Sequence, residues 1–445
     1  MSDELFLKLK TSLTYISILC IVLCNAQDFH FIDRDSKSER LDFQLISNMI
    51  VIPVEINGVE LSFIFDTGAN ATLLFNTTHI DSLLLNDAKE IRIKGLGSSK
   101  SIVAINSTNN EIKLGGIINN DQSIKLIIDD NINFSKRLGI PIHGVIGTEL
   151  LKDFIVEVNY SSQYIKFYSP TTYRKKKLQR YQKVDLEIHK DRCFLISNIQ
   201  LNQKEKRVKL LLDSGSSDAI WLFVNKDIAV PETYFTDYMG TGIAGNIYGR
   251  RSLMDRFSLG RFTLEDVNVA FPDSEYIKFI KGKIDRNGSI GASMIKRFNL
   301  VLDIESQALY IKKNKYFKEP FEYNRSGLEI EHAGSKEVVI LNPNLTQIDG
   351  NHSLSIKEFY TMKLVPIYKI TQVRLESPAY GVGIRSGDVL VSINKDVLDH
   401  KKIDEVRSYL SVEEGEEINV VIDREGEILE FSFVQEEIMK KAIKQ

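Results

Sequence analysis

The stretches LSFIFDTGAN at residues 61–70 and VKLLLDSGSS at residues 208–217 repeat one pattern, an apolar strand that ends in aspartate, a hydroxyl residue and glycine. A second pair of stretches, residues 144–168 and 288–312, also aligns without a gap, with Gly147 matching Gly291. The two offsets, 147 and 144 residues, differ by only a few loop residues. Self-similarity of this kind predicts that the chain contains one structural unit twice.

The fold class follows from the pattern inside each copy. Short apolar strands alternate with Gly, Asn and Asp turns, and residues 51–56 before Asn57-Gly58 give a clear hairpin signal. A short helix is predicted at residues 148–152 and again at 293–297. Because 445 residues exceed what one hydrophobic core usually supports, several domains are expected. The sequence predicts a mainly β protein with two pseudo-symmetric lobes, a central cleft and a small α+β domain after them.

The predicted domain boundaries follow the repeat and the change of pattern after it. They are a signal peptide at 1–26, an N-terminal leader at 27–43, lobe one at 44–170, a linker at 171–183, lobe two at 184–313, a C-terminal domain at 314–437 with an insertion at about 335–362, and a tail at 438–445.

The two aspartates, Asp66 and Asp213, are the candidate catalytic groups. If the two strands face each other across a two-fold-like axis, each delivers its carboxylate to a dry interface. Two carboxyls about 3 Å apart cannot both ionise, so they share one proton and together polarise a water molecule. One such turn alone is a weak signal, because Asp-Ser-Gly turns are common on protein surfaces. Two copies in register, each followed some 80 residues later by an apolar stretch ending in Gly147 or Gly291, are a strong one.

The residues that follow the aspartates fit the same geometry. The hydroxyls of Thr67 and Ser214 are placed to hydrogen-bond across to the opposite strand, and Gly68 and Gly215 let the two turns approach without a Cβ clash. We therefore predict that these four residues support the carboxylate pair.

With these motifs, the chain resembles the pepsin-like and retropepsin-like aspartic proteases over roughly 270 residues. FIFDTGAN is similar to the retroviral form, whereas LLLDSGSSDAIW is similar to the pepsin form, with Trp221 in the matching place. The resemblance implies two retropepsin/pepsin-like β-barrel lobes, an aspartic endopeptidase activity, and Asp66 and Asp213 as the catalytic pair. Ser289 departs from the family, which usually has a bulky residue before Ile-Gly. No metal or organic cofactor is expected, because the carboxylate pair itself activates water.

Each half also carries a glycine-rich stretch 29 residues after its aspartate. Retroviral-type units place a flap at such a stretch, a mobile hairpin that closes over bound peptide. The alternative is a pair of ordinary hairpin turns. If both stretches are flaps, the chain resembles a covalently joined retroviral dimer more than pepsin. The candidate flap residues are Gly95, Leu96, Gly97, Gly240, Thr241 and Gly242.

Residues 377–394, SPAYGVGIRSGDVLVSIN, resemble the PDZ signature, and residues 403–410 would form its second helix. PDZ domains bind a chain end or an extended segment as an added β-strand, and backbone amides receive the terminal carboxylate. The C-terminal domain is therefore expected to bind a C-terminal peptide ligand. Packing against the lobes without a ligand is the alternative. The candidate groove residues are Gly327, Leu328, Glu329 and Ile330.

The N-terminus resembles a secretory signal peptide, with Lys8 and Lys10 before the apolar run at 13–24 and the small residue Ala26 after it. Cleavage after Ala26 predicts export to the periplasm, the cell surface or the outside, with no stable membrane span in the mature chain. An uncleaved membrane anchor is the alternative. Of three cysteines, only Cys193 lies outside the leader, where its apolar surroundings predict a packed core residue and no thiol catalyst.

Charge and repeat structure limit the partners. A net charge of −3 and a pI near 6.2 disfavour nucleic acid as a partner. Peptide or protein substrates are expected, and a monomer is expected because the two lobes already complete the symmetric pair. A second hypothesis is a non-catalytic protein that holds peptides in an acidic cleft and a PDZ groove. A serine peptidase fails for want of a Gly-x-Ser-x-Gly context.

Overall fold

The computed structural model describes residues 28–75, 77, 80–97, 101–129, 132–278, 285–341 and 360–437. The predicted signal peptide and C-terminal tail lie outside these residues, as do residues 342–359 of the expected insertion. Within the described ranges, no helix has the length and apolar character needed to cross a membrane.

Lobe one consists mainly of β-strands with little helix, and its strands belong to two sheets. Its strands are β1 (His30–Phe31), β2 (Ser38–Asp42), β3 (Gln44–Ile46), β4 (Met49–Ile56), β5 (Val59–Phe65), β6 (Thr72–Leu74), β7 (Lys89–Ile93), β8 (Ile102–Leu114), β9 (Ile117–Ile127), β10 (Gly144–Ile146), β11 (Ile155–Asn159) and β12 (Tyr164–Tyr168). Helix α1 (Phe134–Leu138) and a 3-10 helix at Thr148–Leu150 complete it.

Lobe two repeats this arrangement after a 3-10 helix at Lys175–Arg180. Its elements are β13 (Gln182–His189), β14 (Arg192–Leu201), β15 (Lys204–Asp213), β16 (Ile220–Leu222), β17 (Phe235–Gly242), β18 (Gly245–Leu259), β19 (Phe262–Pro272), α2 (Ser274–Ile277), β20 (Gly288–Gly291), α3 (Ala292–Ile295), β21 (Phe298–Asp303) and β22 (Ala308–Lys313). The mainly β, two-lobed fold class is confirmed.

The predicted hairpin turn at Asn57-Gly58 sets the register of two strands in lobe one. Asn57 and Gly58 both have positive φ angles, 48° and 85°, and join β4 to β5 with Ile56 opposite Val59. Residues 202–203 make the same turn in lobe two. Two-residue turns of this hand match the twist of the flanking strands, so they fix the register that carries each strand toward its aspartate.

One sheet joins the lobes. Strand β11 of lobe one pairs antiparallel with β21 of lobe two, with Val158 opposite Leu300. The apolar side chains beneath the two barrels form one continuous buried cluster that includes Phe63, Phe167 and Leu210. The sheet and this shared core hold the lobes in a fixed relation, which places the two aspartate turns against each other.

The structure shifts two of the predicted boundaries. Within the expected leader, β1 pairs with β9 and β2 pairs with β12, because Phe31 and Leu41 are buried in the core of lobe one. Beyond the expected end of lobe two, residues 314–322 still pack on it, because the nearly fully buried Arg297 donates to their carbonyl groups.

The C-terminal domain has its own core and sheet. Its elements are β23 (Leu328–Leu341), β24 (Tyr360–Val373), α4 (Pro378–Gly381), β25 (Val389–Ile393), β26 (Asp396–Val397), α5 (Ile403–Tyr409), β27 (Glu417–Arg424) and β28 (Glu427–Val434). The second helix, predicted at 403–410, is present. The described part of the expected insertion extends the hairpin of β23 and β24, with Leu341 opposite Tyr360.

Candidate active site

The two aspartates lie where matching strands end. Asp66 follows β5 and its backbone N–H donates to the carbonyl of Ile146 in the parallel strand β10, at 2.9 Å. Asp213 ends β15, opposite Gly291 of the parallel strand β20. Both residues are partly buried between the lobes, so the pair that the sequence singles out is brought together at the interlobe interface.

The hydroxyls after the aspartates hydrogen-bond crosswise between the lobes. Thr67 Oγ1 donates to the carbonyl of Leu212 at 2.9 Å and accepts the N–H of Ser214 at 3.1 Å. Ser214 Oγ donates to the carbonyl of Phe65 at 2.7 Å and accepts the N–H of Thr67 at 3.0 Å. This reciprocal arrangement is the one predicted from the sequence, and it fixes the two turns relative to each other.

The glycines after these hydroxyls leave room for the carboxylates. A Cβ atom on Gly68 would lie 2.8 Å from Oδ1 of Asp213, and one on Gly215 would overlap the carboxyl group of Asp66. The N–H groups of both glycines donate to Asp66 Oδ1, at 2.7 Å from Gly68 and 3.2 Å from Gly215. Any larger residue at either position would push the carboxyl groups apart.

The carboxyl pair is electrostatically set to hold one proton. Burial raises the pKa of Asp66, against the opposing effect of the hydrogen bonds from Gly68 and Gly215. Burial also raises the pKa of Asp213, and the charge of Asp66 and a hydrogen bond with its carboxyl raise it further. The amide donors favour the ionised form of Asp66, whereas the neighbouring carboxylate disfavours the ionised form of Asp213.

The structure shows why each apolar stretch that follows an aspartate turn, the apolar-apolar-Gly motif, ends in glycine. A Cβ atom on Gly147 would overlap the carbonyl of Ala69, and one on Gly291 would overlap that of Asp218. The motif therefore lets each aspartate turn pack on the parallel strand beside it. Ser289, which stands where the family usually has a bulky residue, is buried opposite Trp221. A small residue there leaves room for the large ring of Trp221.

Two arginines that the sequence did not single out lie next to the pair. Arg192, at the start of β14, donates from Nη2 to Asn70 Oδ1 at 3.1 Å, in the turn that follows Asp66. Arg286 lies just before β20, and its positive charge, like that of Arg192, lowers the pKa of Asp213. The only sequence signal for Arg286 is its position shortly before the second apolar-apolar-Gly motif.

The two glycine-rich stretches form hairpin tips that touch each other. The first tip joins β7 to β8, and the second joins β17 to β18. The N–H of Ala244 donates to the carbonyl of Leu96 at 2.9 Å. Cβ atoms on Gly97 and Gly242 would overlap the backbone of Gly245 and of Leu96, respectively. The structure therefore brings Gly95, Leu96, Gly97, Gly240, Thr241 and Gly242 into one pair of meeting hairpins.

The side chains of the tips cross to the opposite lobe. Leu96 of lobe one packs against a lobe-two cluster that includes Trp221 and Met239. Ile243 of lobe two packs against a lobe-one cluster that includes Met49 and Val51. Each hairpin is therefore held by apolar contacts with the other lobe, in addition to the contact between the tips.

Of the four PDZ groove candidates, Gly327 precedes the edge strand β23 and the other three begin it. Leu328 and Ile330 are buried, and burial raises the pKa of Glu329. The N–H of Gly327 donates to Asn324 Oδ1 at 3.2 Å, and that of Leu328 donates to Ser326 Oγ at 3.2 Å. These two amide donors are therefore already used inside the loop. Their role in receiving a carboxylate stays a prediction.

The C-terminal domain contacts both lobes through polar groups. Asp404 in α5 accepts hydrogen bonds from the N–H and the hydroxyl of Ser47 in lobe one, at 2.7 and 2.8 Å. Arg374, which follows β24, lies 3.5 Å from Asp237 in the second glycine-tipped hairpin. The domain is thus docked against the base of that hairpin as well as against lobe one.

Comparison with known families agrees with this fold. Residues 52–150 match the family model of the aspartyl protease, and residues 369–424 match that of the PDZ domain. The chain therefore combines an aspartyl protease domain with a C-terminal PDZ domain. No curated protein matches the chain.

Proposed function

We propose that the protein is an aspartic endopeptidase that hydrolyses peptide bonds through a water molecule activated by Asp66 and Asp213. The observation that carries the proposal is the cross-bonded pair of turns, in which each carboxyl lies against the glycine of the opposite turn at the junction of two matched lobes. The aspartyl protease match of the first lobe supports a peptidase.

The chemistry follows from the protonation of the pair. In the resting state Asp66 is ionised and Asp213 carries the shared proton. Asp66 takes a proton from the water as its oxygen attacks the peptide carbonyl, and Asp213 gives its proton to the carbonyl oxygen. As the tetrahedral intermediate collapses and the C–N bond breaks, Asp66 gives its proton to the leaving amine nitrogen and Asp213 takes a proton from a hydroxyl of the intermediate, so the pair again holds one proton.

The remaining parts of the molecule fit the same activity. The meeting hairpin tips are suited to cover an extended peptide and exclude water from the dyad. The PDZ domain would recognise a peptide or the terminus of a protein substrate. Export through the segment at residues 1–26, to the periplasm, the cell surface or the outside, is part of the proposal and rests on the sequence pattern alone.

A peptide library tests the activity directly. The purified protein should cleave library peptides, and pepstatin, a transition-state mimic of aspartic proteases, should block the cleavage. Asp66→Asn and Asp213→Asn should each remove nearly all activity with the fold retained, since a pair that shares one proton needs both members. More than about a tenth of the wild-type rate in either variant would contradict the dyad mechanism. Peptide binding without cleavage by the wild type would favour the non-catalytic alternative.

Asp213→Asn also has a stability readout. Because burial and Asp66 raise the pKa of Asp213 in the folded protein, its contribution to stability is present at low pH. That contribution is lost as the pH rises through the folded-state pKa. Asparagine cannot ionise, so the variant should gain stability relative to wild type as the pH rises. Urea unfolding at several pH values measures this, and a difference that does not change with pH would refute the raised pKa.

A further inference from the structure

Arg286 is a partly buried cation that forms no ion pair with a described residue. Its Nε and Nη1 atoms are buried and make no hydrogen bond there, and its guanidinium carbon lies 5.2 Å from the centre of the Phe223 ring. Burial lowers the pKa of Arg286 to about 10, so the side chain still carries its charge at neutral pH. Leaving a charged donor buried and unpaired is unfavourable, which indicates that an acceptor completes the site.

The backbone next to Arg286 is held rigidly. Asn287 bonds twice to Lys209 of β15, through its N–H and its Oδ1, both at 2.8 Å. Its carbonyl accepts the N–H of Phe223 at 2.7 Å. The arginine therefore projects from a segment fixed to the strand that carries Asp213, and a preorganised cation of this kind is suited to recognition.

Arg192 adds a second cation to the same place. Its Nε is buried without a hydrogen bond in the described structure, while its Nη2 bonds to Asn70. The charges of Arg192 and Arg286 act on each other and on Asp213. Beside the dyad, three buried nitrogen atoms of the two guanidinium groups are therefore left without an acceptor.

Lobe one has no such charge at the equivalent positions. Under the 144-residue offset, the lobe-one residue equivalent to Arg286 is Ile142, which is fully buried. The contact equivalent to that of Arg192 comes from Asn48, whose Nδ2 donates to the carbonyl of Ser217 at 3.1 Å. One side of the pseudo-symmetric dyad is therefore apolar and neutral, whereas the other is cationic.

We infer that Arg286 and Arg192 form a cationic subsite that binds a carboxylate of the peptide substrate beside the scissile bond. The inference rests on the proposed function and adds its substrate class, peptides with an acidic group next to the bond that is cut. A carboxylate suits the site because guanidinium and carboxylate form two parallel charge-assisted hydrogen bonds. The acidic group is either a Glu or Asp side chain or the free C-terminus of the substrate.

Paired peptides test the subsite. In the first series, all peptides have amidated ends, and each position around a bond that the protein cuts carries either Glu or Gln. In the second series, the peptides have no acidic side chain, and the C-terminus near the bond is either free or amidated. At one position at least, kcat/KM should be about ten-fold or more higher for the charged member of the pair. The series that shows the preference identifies the source of the carboxylate. Equal values throughout would overturn the inference.

Variants assign the preference to Arg286. Arg286→Met should reduce the charged-to-neutral ratio to below about two-fold, and Arg286→Lys should retain part of it. Arg261→Met is the matched control, because Arg261 is an exposed lobe-two arginine 5.3 Å from the Phe262 ring. It should leave the ratio unchanged. A preference that survives Arg286→Met, even with an altered pH profile, would overturn the inference. The wild-type comparison decides even where a variant does not fold.

The outcomes separate this inference from the proposed function. A protein that cuts peptides without regard to charge contradicts only the subsite. A protein that cuts none contradicts the proposed activity, and the subsite is then tested by fluorescence anisotropy with the same labelled Glu and Gln peptides. Tighter binding of the Glu peptide, lost in Arg286→Met, would support the subsite, and equal affinities would overturn it.

Discussion

Thr67→Val tests whether the crossed hydroxyl bonds hold the two aspartate turns together. Valine keeps the branched shape of threonine, and Thr67 is 4% exposed, so the change removes the hydroxyl with little effect on packing. It leaves the carbonyl of Leu212 without its donor and the N–H of Ser214 without its acceptor. Each buried group left unsatisfied costs about 1–3 kcal/mol, so the free energy of unfolding should fall by about 2–4 kcal/mol.

Urea denaturation measures this loss as a lower transition midpoint at an unchanged m value. The chain offers a matched control in Thr148, which is 3% exposed and whose Oγ1 has no hydrogen bond within the described structure. Thr148→Val removes a buried hydroxyl that has no such bond to lose, so it should change stability by less than about 0.5 kcal/mol or increase it. If Thr67→Val cost no more than Thr148→Val, the crossed bonds would not be what stabilises the junction.

Two further predictions concern the hairpin tips and the end of lobe two. Gly242→Val should lower kcat/KM on long peptides with little change in melting temperature, because a Cβ atom there overlaps the carbonyl of Leu96 and keeps the tips apart. Gly381→Ala, where a Cβ atom meets nothing within 4 Å, is its control, and equal kinetics in both variants would make the tips ordinary turns. A chain ending after Lys313 should be about 3–5 kcal/mol less stable than one ending after Glu322, because Arg297 loses the carbonyls of residues 316–320. Thermal unfolding of the two chains checks this, and equal stabilities would contradict the role of Arg297.

The sequence was sufficient where the pattern is local or repeated. The Asn57-Gly58 turn, the two Asp-hydroxyl-Gly turns and the paired glycine tips each combine a local conformational requirement with a second copy in register. The pairing of Asp66 with Asp213 needed only the assumption that two similar lobes face each other. The crossed hydroxyl bonds then follow from the same symmetry.

The sequence was not sufficient where a charged residue is buried by contacts outside the repeat. Arg297 and its equivalent under the 144-residue offset, Asp153, both bind segments that the repeat does not contain. Arg297 donates to carbonyls of residues 316–320, and Asp153 accepts the N–H of Phe29 at 2.9 Å. Charged residues are usually solvated, so no pattern distinguishes these two from surface residues. The boundaries at 43 and 313 differ from the structure for this reason.

The position of the PDZ domain could not be predicted either, and it affects how that domain would act on the protease. Arg407 in α5 donates both to the carbonyl of Arg137 in lobe one, at 2.8 Å, and to that of Ile330 on the edge strand β23, at 3.2 Å. The guanidinium of Arg137 in turn lies 5.8 Å from the ring of Tyr238, in the second hairpin. A peptide added to the edge of β23 near Ile330 would therefore compete with contacts that also reach the hairpin. Because such coupling is reciprocal, closing the hairpin over substrate would change the affinity of the PDZ edge by the same factor. Deleting the PDZ domain would remove the proposed peptide recognition and this hairpin contact together, so a truncated chain alone cannot assign a change in activity to either.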